Sequence, residues 1–254
     1  MKLKTRCALI VGASSGMGEA LAHRLAGAGW RVALVARRED ELRRIADAIN
    51  AKATEKPQAF VYPHDATDLL TIPKTFDTIA EELGGLDLAI YAAGIMPAVG
   101  PSEYNAEKDR QIVEVNLIGA MGWMNEAADL FARLRRGTVV GLGSVSGDRG
   151  RKGNPAYAAS KAGFHCYLES LRNRLDEHGV NVITIKPGPV DTPMTRSLGK
   201  AMPFLISADE AARQIVRAVE KKKNGEVYVP GRWRPIMGII KAIPSPIFRR
   251  LGME

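Results

Sequence analysis

Short apolar runs alternate with longer amphipathic stretches along the whole chain, and this alternation predicts the secondary structure. Most of the short runs are continuously apolar, which is typical of strands buried on both faces of a sheet. The predicted strands are Cys7–Val11, Arg31–Ala36, Gln58–Tyr62, Leu86–Tyr91, Thr138–Leu142, Asn181–Lys186 and Val227–Val229. The predicted helices are Gly16–Ala28, Glu39–Ala53, Ile72–Leu83, Ala106–Arg133, Pro155–Glu177 and Ala208–Lys223.

Strands that alternate with helices over the whole length predict a doubly wound α/β fold of the Rossmann type. We expect one parallel sheet of about seven strands, with helices on both faces. The sequence contains no linker, low-complexity segment or short repeat. Residues 1–254 are therefore expected to form a single domain, which ends in a basic, apolar C-terminal segment at 230–254.

The composition is that of an ordinary globular protein and excludes several other classes. The chain has 254 residues, of which 46% are hydrophobic, so it can bury a full core without metal or disulfide support. Aromatic residues make up only 6%, and no known motif accompanies the positive charge, which argues against nucleic-acid binding. No apolar run reaches the ~18 residues of a membrane span.

Neither the cysteines nor the histidines have the spacing of metal ligands. We expect Cys7 and Cys166 to be small buried hydrophobic residues of a cytoplasmic protein without disulfides. The four histidines are expected to be structural or surface groups. The sequence thus predicts no metal site.

A glycine cluster joins the first predicted strand to the first helix. It runs Gly12-Ala13-Ser14-Ser15-Gly16-Met17-Gly18, with the spacing G-x-x-x-G-x-G. Gly12 can form a sharp turn, Gly16 lets backbone N–H groups approach a pyrophosphate at the helix N-terminus, and Gly18 allows close helix–strand packing. An ordinary tight turn would also produce such a cluster. Its place between strand and helix favours a dinucleotide site, with Ser14 and Ser15 as further hydroxyl donors.

Arg37 and Arg38 follow the second predicted strand, where the chain faces the adenosine ribose in this kind of fold. An acidic residue there would accept the 2′-hydroxyl of NAD, whereas a guanidinium binds the 2′-phosphate of NADP as a bidentate fork. The sequence therefore favours NADP, with Arg37 as the main contact and Arg38 as the secondary one. The alternative is that both are solvated residues at the start of the next helix. Asp65, after the third strand, is a candidate acceptor for the adenine amino group.

Tyr157 and Lys161 are four residues apart in a predicted helix, which places both on one face. A free tyrosine has a pKa of about 10, and a nearby ammonium lowers that pKa because it favours the phenolate. A positively charged nicotinamide would act in the same direction. The pair is a candidate general acid/base, although the same spacing also arises by chance on many helices.

Four separated elements occur in the order and at the spacing of one family. They are the glycine cluster, Asn116, Ser144 thirteen residues before Tyr157-x-x-x-Lys161, and the segment Pro187-Gly188-Pro189-Val190-Asp191-Thr192. With them the chain resembles the short-chain dehydrogenases/reductases in their single-domain form, from Thr5 to about Val229. It departs from the family pattern at Val11, where the family has Thr, and at Tyr91-Ala92, where it has Asn-Asn. We interpret these apolar replacements as a structural variation that leaves the chemistry intact.

The resemblance implies a catalytic role for four residues. Tyr157 would exchange a proton with a carbonyl or alcohol oxygen, and Ser144 would orient that oxygen. Lys161 would bind the nicotinamide ribose and lower the pKa of the tyrosine. Asn116 would hold a water that links Lys161 to solvent. The implied activity is hydride transfer between nicotinamide and a carbonyl compound or secondary alcohol.

The implied cofactor is NADP. Its binding residues are expected to be Gly12, Ser14, Ser15, Gly16, Met17, Gly18, Arg37, Arg38, Asp65, Ala66, Ala93, Gly94, Tyr157, Lys161, Pro187, Val190 and Thr192. The family suggests a homodimer or homotetramer. The alternative function is a non-catalytic nucleotide-binding scaffold or regulator of the same fold, and the presence of both Tyr157 and Lys161 argues against it.

Loops beyond the carboxyl ends of the strands are expected to contact the substrate. They are Ile95–Val99, Arg149–Asn154 and the lid Met194–Ile206. The lid is rich in large apolar side chains, which favours a lipophilic substrate. The other interpretation is that these side chains only pack the lid onto the domain.

The C-terminal segment is both basic and apolar. Residues 229–254 hold five basic residues and one acidic residue. Their net charge of +4 is half of the net charge of +8 of the whole chain. Ile236, Ile239, Ile240 and Ile243 recur at helical spacing, and the tail resembles that of reductases acting on polyprenyl-phosphoryl keto-sugars. One hypothesis is peripheral membrane contact near a lipid-like carbonyl substrate. The rival hypotheses are burial against a partner subunit and a solvated basic surface.

Overall fold

The structure is a computed structural model that describes residues 6–53, 57–100, 102–199 and 202–251. Its strands are β1 (Cys7–Val11), β2 (Arg31–Ala36), β3 (Ala59–Pro63), β4 (Leu88–Tyr91), β5 (Thr138–Leu142), β6 (Asn181–Pro187), β7 (Val190–Asp191), β8 (Ile206–Ser207) and β9 (Gly225–Val229). Its α-helices are α1 (Gly16–Gly27), α2 (Glu39–Asn50), α3 (Ile72–Leu83), α4 (Ala106–Val113), α5 (Gly119–Leu134), α6 (Pro155–Leu175), α7 (Pro193–Arg196), α8 (Ala208–Glu220), α9 (Trp233–Ala242) and α10 (Ser245–Phe248).

Seven strands form one sheet in the order β3-β2-β1-β4-β5-β6-β9, and every neighbouring pair is parallel. The chain winds outward from β1 to β3 and then returns to β4 on the other side of β1. The predicted doubly wound Rossmann-type sheet is therefore confirmed. The reversal lies between β1 and β4, and in such sheets the crevice beyond the carboxyl ends of these strands is where ligands bind.

Helices cover both faces of the sheet. Successive side chains of a strand point to opposite faces, and β1 is buried along its whole length. Ile10 belongs to a hydrophobic cluster that includes residues of α1, α2 and α8. Leu9 belongs to a second cluster that includes residues of α3, α5 and α6. The continuous apolar runs of the sequence thus correspond to strands packed between two helical layers.

Several predicted boundaries are wrong. The predicted helix Ala106–Arg133 is interrupted by a π-helix at Glu114–Ile118. The sequence analysis did not predict this interruption, because the wider turn of a π-helix changes the spacing of apolar residues too little to be recognised. The predicted helix Pro155–Glu177 ends in a 3₁₀ turn at Asp176–His178. The two-stranded sheet formed by β7 and β8 was not predicted.

The cysteines differ in exposure. Cys7 lies in the buried strand β1, as expected, whereas the expectation of burial is wrong for Cys166, which is exposed. Cys166 follows His165 on α6, and the inward face of that helix is already occupied by rows of buried side chains. Outside the described residues lie Thr5, residues 200 and 201 of the lid, and residues 252–254.

The described residues contain neither a membrane-spanning helix nor a cluster of metal ligands. No helix in these ranges is both long enough and apolar enough to cross a membrane. No group of three or more His, Cys, Asp or Glu side chains in the same ranges is placed to hold a metal ion.

Candidate active site

The turn between β1 and α1 is built from glycines that no other residue can replace without strain. Gly12 has φ = 90°, and a Cβ there would lie 2.4 Å from the backbone nitrogen of Ala93. A Cβ on Gly18 would lie 2.1 Å from the carbonyl oxygen of Gly12. Ser15, the N-cap residue of α1, makes no side-chain hydrogen bond to the helix. The Ser15 side chain thus leaves the first N–H groups of α1 uncapped. A pyrophosphate site at a helix N-terminus requires such uncapped N–H groups.

Arg38 reaches back to this turn. Its Nη2 lies 2.9 Å from the hydroxyl oxygens of both Ser14 and Ser15. Arg37 points elsewhere: its Nη1 lies 3.8 Å from Asp65 Oδ2, and two thirds of the Arg37 side chain is exposed. The structure therefore brings Arg38, rather than Arg37, to the serines of the glycine turn.

The loop after β3 forms a small turn of its own. Asp65 Oδ1 accepts hydrogen bonds from the backbone N–H and the hydroxyl of Thr67, at 2.9 and 2.8 Å. Burial acts to raise the pKa of Asp65, but the hydrogen bonds from Thr67 outweigh it and hold that pKa below its usual value. The carbonyl of Ala66 lies against Gly119, at the start of α5, where a Cβ would come within 2.5 Å.

The loop after β4 leads to the predicted acid/base residues. A Cβ on Gly94 would lie 3.2 Å from Asn116 Oδ1 and 3.5 Å from Lys161 Nζ. These two polar side chains therefore approach the same backbone position. Tyr91, interpreted above as an apolar replacement, donates its hydroxyl to the carbonyl of Val115 at 2.6 Å. Its hydroxyl thus ties β4 to the π-helix, which the sequence interpretation missed.

Asn116 lies in the π-helix and is fully buried. Its Oδ1 accepts from the N–H of Ile95 at 2.8 Å, and its Nδ2 donates to the Ile95 carbonyl at 3.0 Å. Nδ2 also lies 3.2 Å from the hydroxyl of Ser160 on α6. The asparagine thus joins the loop after β4 to the π-helix, in which it lies, and to α6.

The N-terminus of α6 positions Tyr157 and Lys161. Asn154 caps the helix by accepting from the N–H of Tyr157 at 2.9 Å, and Pro155 occupies the first turn, where its missing N–H costs nothing. Lys161 Nζ lies 5.8 Å from the centre of the Tyr157 ring and donates to the carbonyl of Leu142 at 2.9 Å. The predicted pair therefore shares one face of the helix.

The pKa values of the pair depart from the sequence expectation. Burial raises the pKa of Tyr157, and the hydrogen bond with Ser144 offsets this only in part. Burial also lowers the pKa of Lys161 to about 8, because the charged ammonium loses its hydration. The chain's own groups thus hold the phenol above its ordinary pKa, opposite to the expected lowering by Lys161.

Ser144 is held by its backbone as well as by its side chain. Its hydroxyl oxygen accepts from the N–H of Ser146 at 3.1 Å, and its own N–H donates to His165 Nε2 at 3.3 Å. Burial is the main cause that lowers the pKa of His165 to about 3, so the imidazole is neutral and can accept at Nε2. His165 was expected to be structural, but it contacts a predicted site residue.

A buried ionic cluster lies beside His165 and was missed by the sequence analysis. Lys186 Nζ lies 2.7 Å from Asp148 Oδ1 and 2.5 Å from Glu226. The hydroxyl of Tyr228 donates to Asp148 Oδ2 at 2.6 Å. The available signal was a lysine inside the apolar run of β6, because a buried lysine requires a charged partner.

The segment after β6 meets the glycine turn. A Cβ on Gly16 would lie 3.1 Å from a side-chain carbon of Thr192, which caps α7. Pro187 is the last residue of β6, and Val190 is buried at the start of β7. A Cβ on Gly188 would lie 1.9 Å from Trp233 Nε1, so the indole lies against this backbone.

The C-terminal segment packs on its own chain. Trp233 and Met237, one turn apart on α9, are buried in a cluster with Val145, the neighbour of Ser144. Ile236 and Ile240 are partly buried against the same cluster. Only part of the predicted apolar stripe is therefore available to a membrane or a subunit, and neither hypothesis anticipated this intrachain packing.

Comparisons with known proteins agree with this arrangement. The sequence profile of a family described as short chain dehydrogenase matches residues 6–203. An uncharacterized oxidoreductase of Myxococcus xanthus is 33% identical over 249 residues, which cover 97% of this chain and 96% of the relative. Another, from Mycobacterium tuberculosis strain H37Rv, is 31% identical over 246 residues, with 96% of each chain covered.

Solved structures share the fold. A variant of actinorhodin polyketide ketoreductase with NADPH superposes with a TM-score of 0.81 at 23% identity, over 90% of this chain and 97% of its own. Levodione reductase gives a TM-score of 0.81 at 24% identity, over 89% and 96%. At such identities these likenesses concern the fold alone.

Proposed function

The chain belongs to the short-chain dehydrogenase family and is thus an oxidoreductase that uses a nicotinamide cofactor. From this premise we propose that the protein is an NADP(H)-dependent carbonyl reductase or alcohol dehydrogenase. One observation carries the proposal. Lys161 lies one turn beyond Tyr157 on the same face of α6, with its Nζ 5.8 Å from the Tyr157 ring centre, and the Ser144 side chain acts to lower the pKa of that tyrosine. The unit we propose is a single domain of residues 1–254 that assembles as a homodimer or homotetramer.

In the proposed reduction, a nicotinamide cofactor held at the glycine turn would supply a hydride for the carbonyl carbon. The hydroxyl of Tyr157 gives its proton to the carbonyl oxygen, so that the product is a neutral alcohol. The hydroxyl of Ser144 donates a hydrogen bond to the same oxygen and stabilises the negative charge that develops there. In the reverse direction Tyr157 takes the proton back, which the positive charge of an oxidised nicotinamide would favour.

Lys161 and Asn116 complete the proposed proton path. A pKa of about 8 places the Lys161 ammonium near its titration point at neutral pH, which suits a group that passes protons onward. We propose that Lys161 also binds the nicotinamide ribose, and that Asn116 holds a water between the lysine and solvent. Support comes from Gly94, against which both side chains lie.

NADP is the proposed cofactor because of the charge beside the glycine turn. The guanidinium of Arg38, with the hydroxyls of Ser14 and Ser15, forms a set of donors suited to a 2′-phosphate. Arg37 is proposed as a second, more exposed contact. The remaining proposed contacts are Gly12, Gly16, Met17, Gly18, Asp65, Ala66, Ala93, Gly94, Pro187, Val190 and Thr192.

A lipophilic carbonyl compound is the proposed substrate. Phe204 and Leu205 of the lid are about half exposed, at 50% and 47%, although both are large apolar side chains. Phe204 packs edge-on against Trp233, with ring centres 5.9 Å apart. A lid and a C-terminal helix that present apolar surface together favour an apolar ligand.

We also propose that the C-terminal segment contacts a membrane surface. Ile239, Ile247 and Leu251 are exposed at 69%, 53% and 51%, and the segment is basic. Replacing all three by serine should abolish sedimentation with anionic vesicles and leave the oligomer size unchanged. If vesicle binding persists while the oligomer dissociates, the segment is a subunit contact instead. The likeness of this tail to that of polyprenyl-phosphoryl keto-sugar reductases stays a prediction.

A coenzyme and carbonyl screen tests the proposal. The wild-type protein should reduce ketones or aldehydes with NADPH in clear preference to NADH. Tyr157→Phe should bind NADPH with unchanged affinity and lose about 10²- to 10⁴-fold in kcat. A preference for NADH would contradict the role of the arginines. Turnover retained in Tyr157→Phe would contradict the acid/base assignment, and NADPH binding without any wild-type turnover would favour the scaffold alternative.

A further inference from the structure

Arg151 carries a charge that the described part of the chain does not neutralise. It lies in the loop between the 3₁₀ turn Val145–Asp148 and α6. Its Nε is shut off from solvent without a hydrogen-bond partner, and its Nη2 contacts only the sulfur of Met237, at 3.6 Å. No carboxylate among the described residues lies within ion-pair distance of it. The other buried side-chain atoms without a partner belong to three indoles and His64.

The nearest acid is already engaged. Asp148 attracts Arg151 electrostatically, but both of its carboxylate oxygens accept hydrogen bonds, from Lys186 and from Tyr228. Burial lowers the pKa of Arg151, because it removes hydration from the charged guanidinium. A guanidinium nevertheless stays charged at physiological pH, and an uncompensated buried charge is costly.

A second arginine in the same loop shows what a purely structural role requires. Arg149 donates to the carbonyls of Ile240 and Lys241 at the end of α9. Its guanidinium also stacks on the ring of Phe248, 3.9 Å from the ring centre. Arg149 therefore already fastens the loop to the C-terminal segment, and Arg151 is not needed for that purpose.

The position of Arg151 is on the substrate side of the sheet. Met237, which it touches, shares a cluster with Val145 and Trp233. Val145 follows Ser144 directly, and Trp233 lies against Gly188 after β6. Arg151 thus touches a side chain that packs against the residue next to Ser144, at the carboxyl ends of β5 and β6.

We propose that Arg151 binds an anionic oxygen group, a phosphate or a carboxylate, on the substrate and so determines specificity. The inference rests on the proposed function, because the carbonyl of this substrate would be reduced at Ser144 and Tyr157. A planar guanidinium matches both anions as a two-pronged donor, and the Arg151 side chain as a whole is only partly buried, although its Nε is not accessible. The substrate is then an amphiphile, whose apolar part lies near the lid and whose anion pairs with Arg151.

Matched ketones test the inference. A long-chain keto acid, its methyl ester and the corresponding keto phosphate are reduced with NADPH by wild type, Arg151→Gln and Lys152→Gln. Lys152 is the control because it is exposed in the same loop and also loses one positive charge. Arg151→Gln should lower kcat/KM for the preferred anion about 10- to 100-fold and leave the ester unchanged. Comparison of kcat/KM for the keto acid with that for the keto phosphate identifies the preferred anion.

Two outcomes would overturn the inference. One is an equal loss on the acid, the phosphate and the ester, since this indicates misplacement of the loop. The other is an equal loss in Lys152→Gln, which indicates a general effect of charge. Arg151→Lys, which keeps the charge without the planar fork, should have an intermediate effect and guards against a folding defect in Arg151→Gln.

A binding measurement separates this inference from the proposed function. Calorimetry compares the affinity of the anionic ketones and the ester for the protein saturated with NADP+. A preference for an anion that Arg151→Gln removes supports the inference even if no ketone is turned over. Equal affinities for anions and ester overturn it even if all of them are reduced.

Discussion

The proposed nucleotide side of the sheet, around β1 to β3, and its proposed substrate side, around β5, β6 and β9, are built in different ways. Around β1 to β3 the decisive contacts are close approaches of backbone to backbone, such as Gly12 to Ala93 and Gly18 to Gly12. Around β5, β6 and β9 they join side chains from distant parts of the chain: Arg149 reaches the end of α9, 91 residues further on. The first construction leaves little freedom at Gly12 and Gly18, because a Cβ at either position would collide with backbone atoms.

The substrate side is also where charge is buried. Asp148 and Lys186 expose only 2% and 4% of their side chains, whereas Arg37 and Asp65 on the nucleotide side are largely solvated. Buried charges hold their neighbours in fixed geometry only while every partner remains in place. The comparison indicates that the proposed cofactor site depends mainly on backbone shape, and that the proposed substrate site depends on a network of side chains.

Removal of the hydroxyl beside Tyr157 should have the largest effect. Ser144→Ala removes the donor proposed for the carbonyl oxygen, so kcat should fall about 10²- to 10³-fold with little change in NADPH affinity. Ser146→Ala is the matched control, because its backbone N–H, and not its hydroxyl, contacts Ser144. Steady-state NADPH oxidation measures both variants. Equal losses in the two would show that the 3₁₀ turn, rather than one hydroxyl, matters.

A single methyl group tests the backbone of the nucleotide side. Gly18→Ala places a Cβ 2.1 Å from the Gly12 carbonyl, so we expect the free energy of unfolding to fall by about 1–3 kcal/mol, together with weaker NADPH binding. Gly27→Ala, on the same helix, meets nothing within 4 Å and should be neutral or stabilising by up to about 1 kcal/mol. Chemical denaturation measures both. A tolerated alanine at 18 would contradict the close packing.

Variants of Arg37 and Arg38, which follow β2, test how much side chains contribute to NADPH binding on the nucleotide side. Arg38→Ala should raise the Kd for NADPH about 10- to 100-fold, because its guanidinium lies at Ser14 and Ser15, and should leave the Kd for NADH unchanged. Arg37→Ala should have a smaller effect, since that side chain is mostly solvated. Equilibrium fluorescence titration distinguishes them. A larger effect at Arg37 would restore the order expected from sequence.

The pH dependence of stability tests the buried cluster. The pKa of His165 is about 3 in the fold, against 6.5 for an unperturbed histidine, so between these values the unfolded chain binds the proton and the folded one does not. Stability should therefore fall as the pH drops below about 6.5, by up to about 1.4 kcal/mol per pH unit from this group. His165→Gln should remove that slope in denaturation curves measured at several pH values. Parallel curves for the two proteins would show that the imidazole does not titrate as inferred.

The sequence predicted what depends on local pattern. Continuous apolar runs identified the strands of the parallel sheet, and the glycine spacing identified the turn at β1. Helical spacing placed the tyrosine and lysine of α6 on one face, and the resemblance to a family, rather than the spacing alone, gave them a role. These features follow from residues close together in the chain.

What the sequence could not predict depends on contacts across the chain. The pairing of Lys186 with Asp148 and the contact of Arg151 with Met237 join residues that only the complete fold brings together. The preference for Arg38 over Arg37 at the serines depends on the direction that each side chain takes from the end of β2. The raised pKa of Tyr157 depends on burial, which spacing does not measure.

The indole of Trp233, packed against the backbone of Gly188, gives the protein an intrinsic optical reporter. Reduced nicotinamide absorbs where tryptophan emits, so binding next to this segment would quench Trp233 more strongly than Trp30 or Trp123, which lie in the two helical layers. Single-tryptophan variants would then follow coenzyme arrival by energy transfer. The same ring would register any movement of the C-terminal helix in real time.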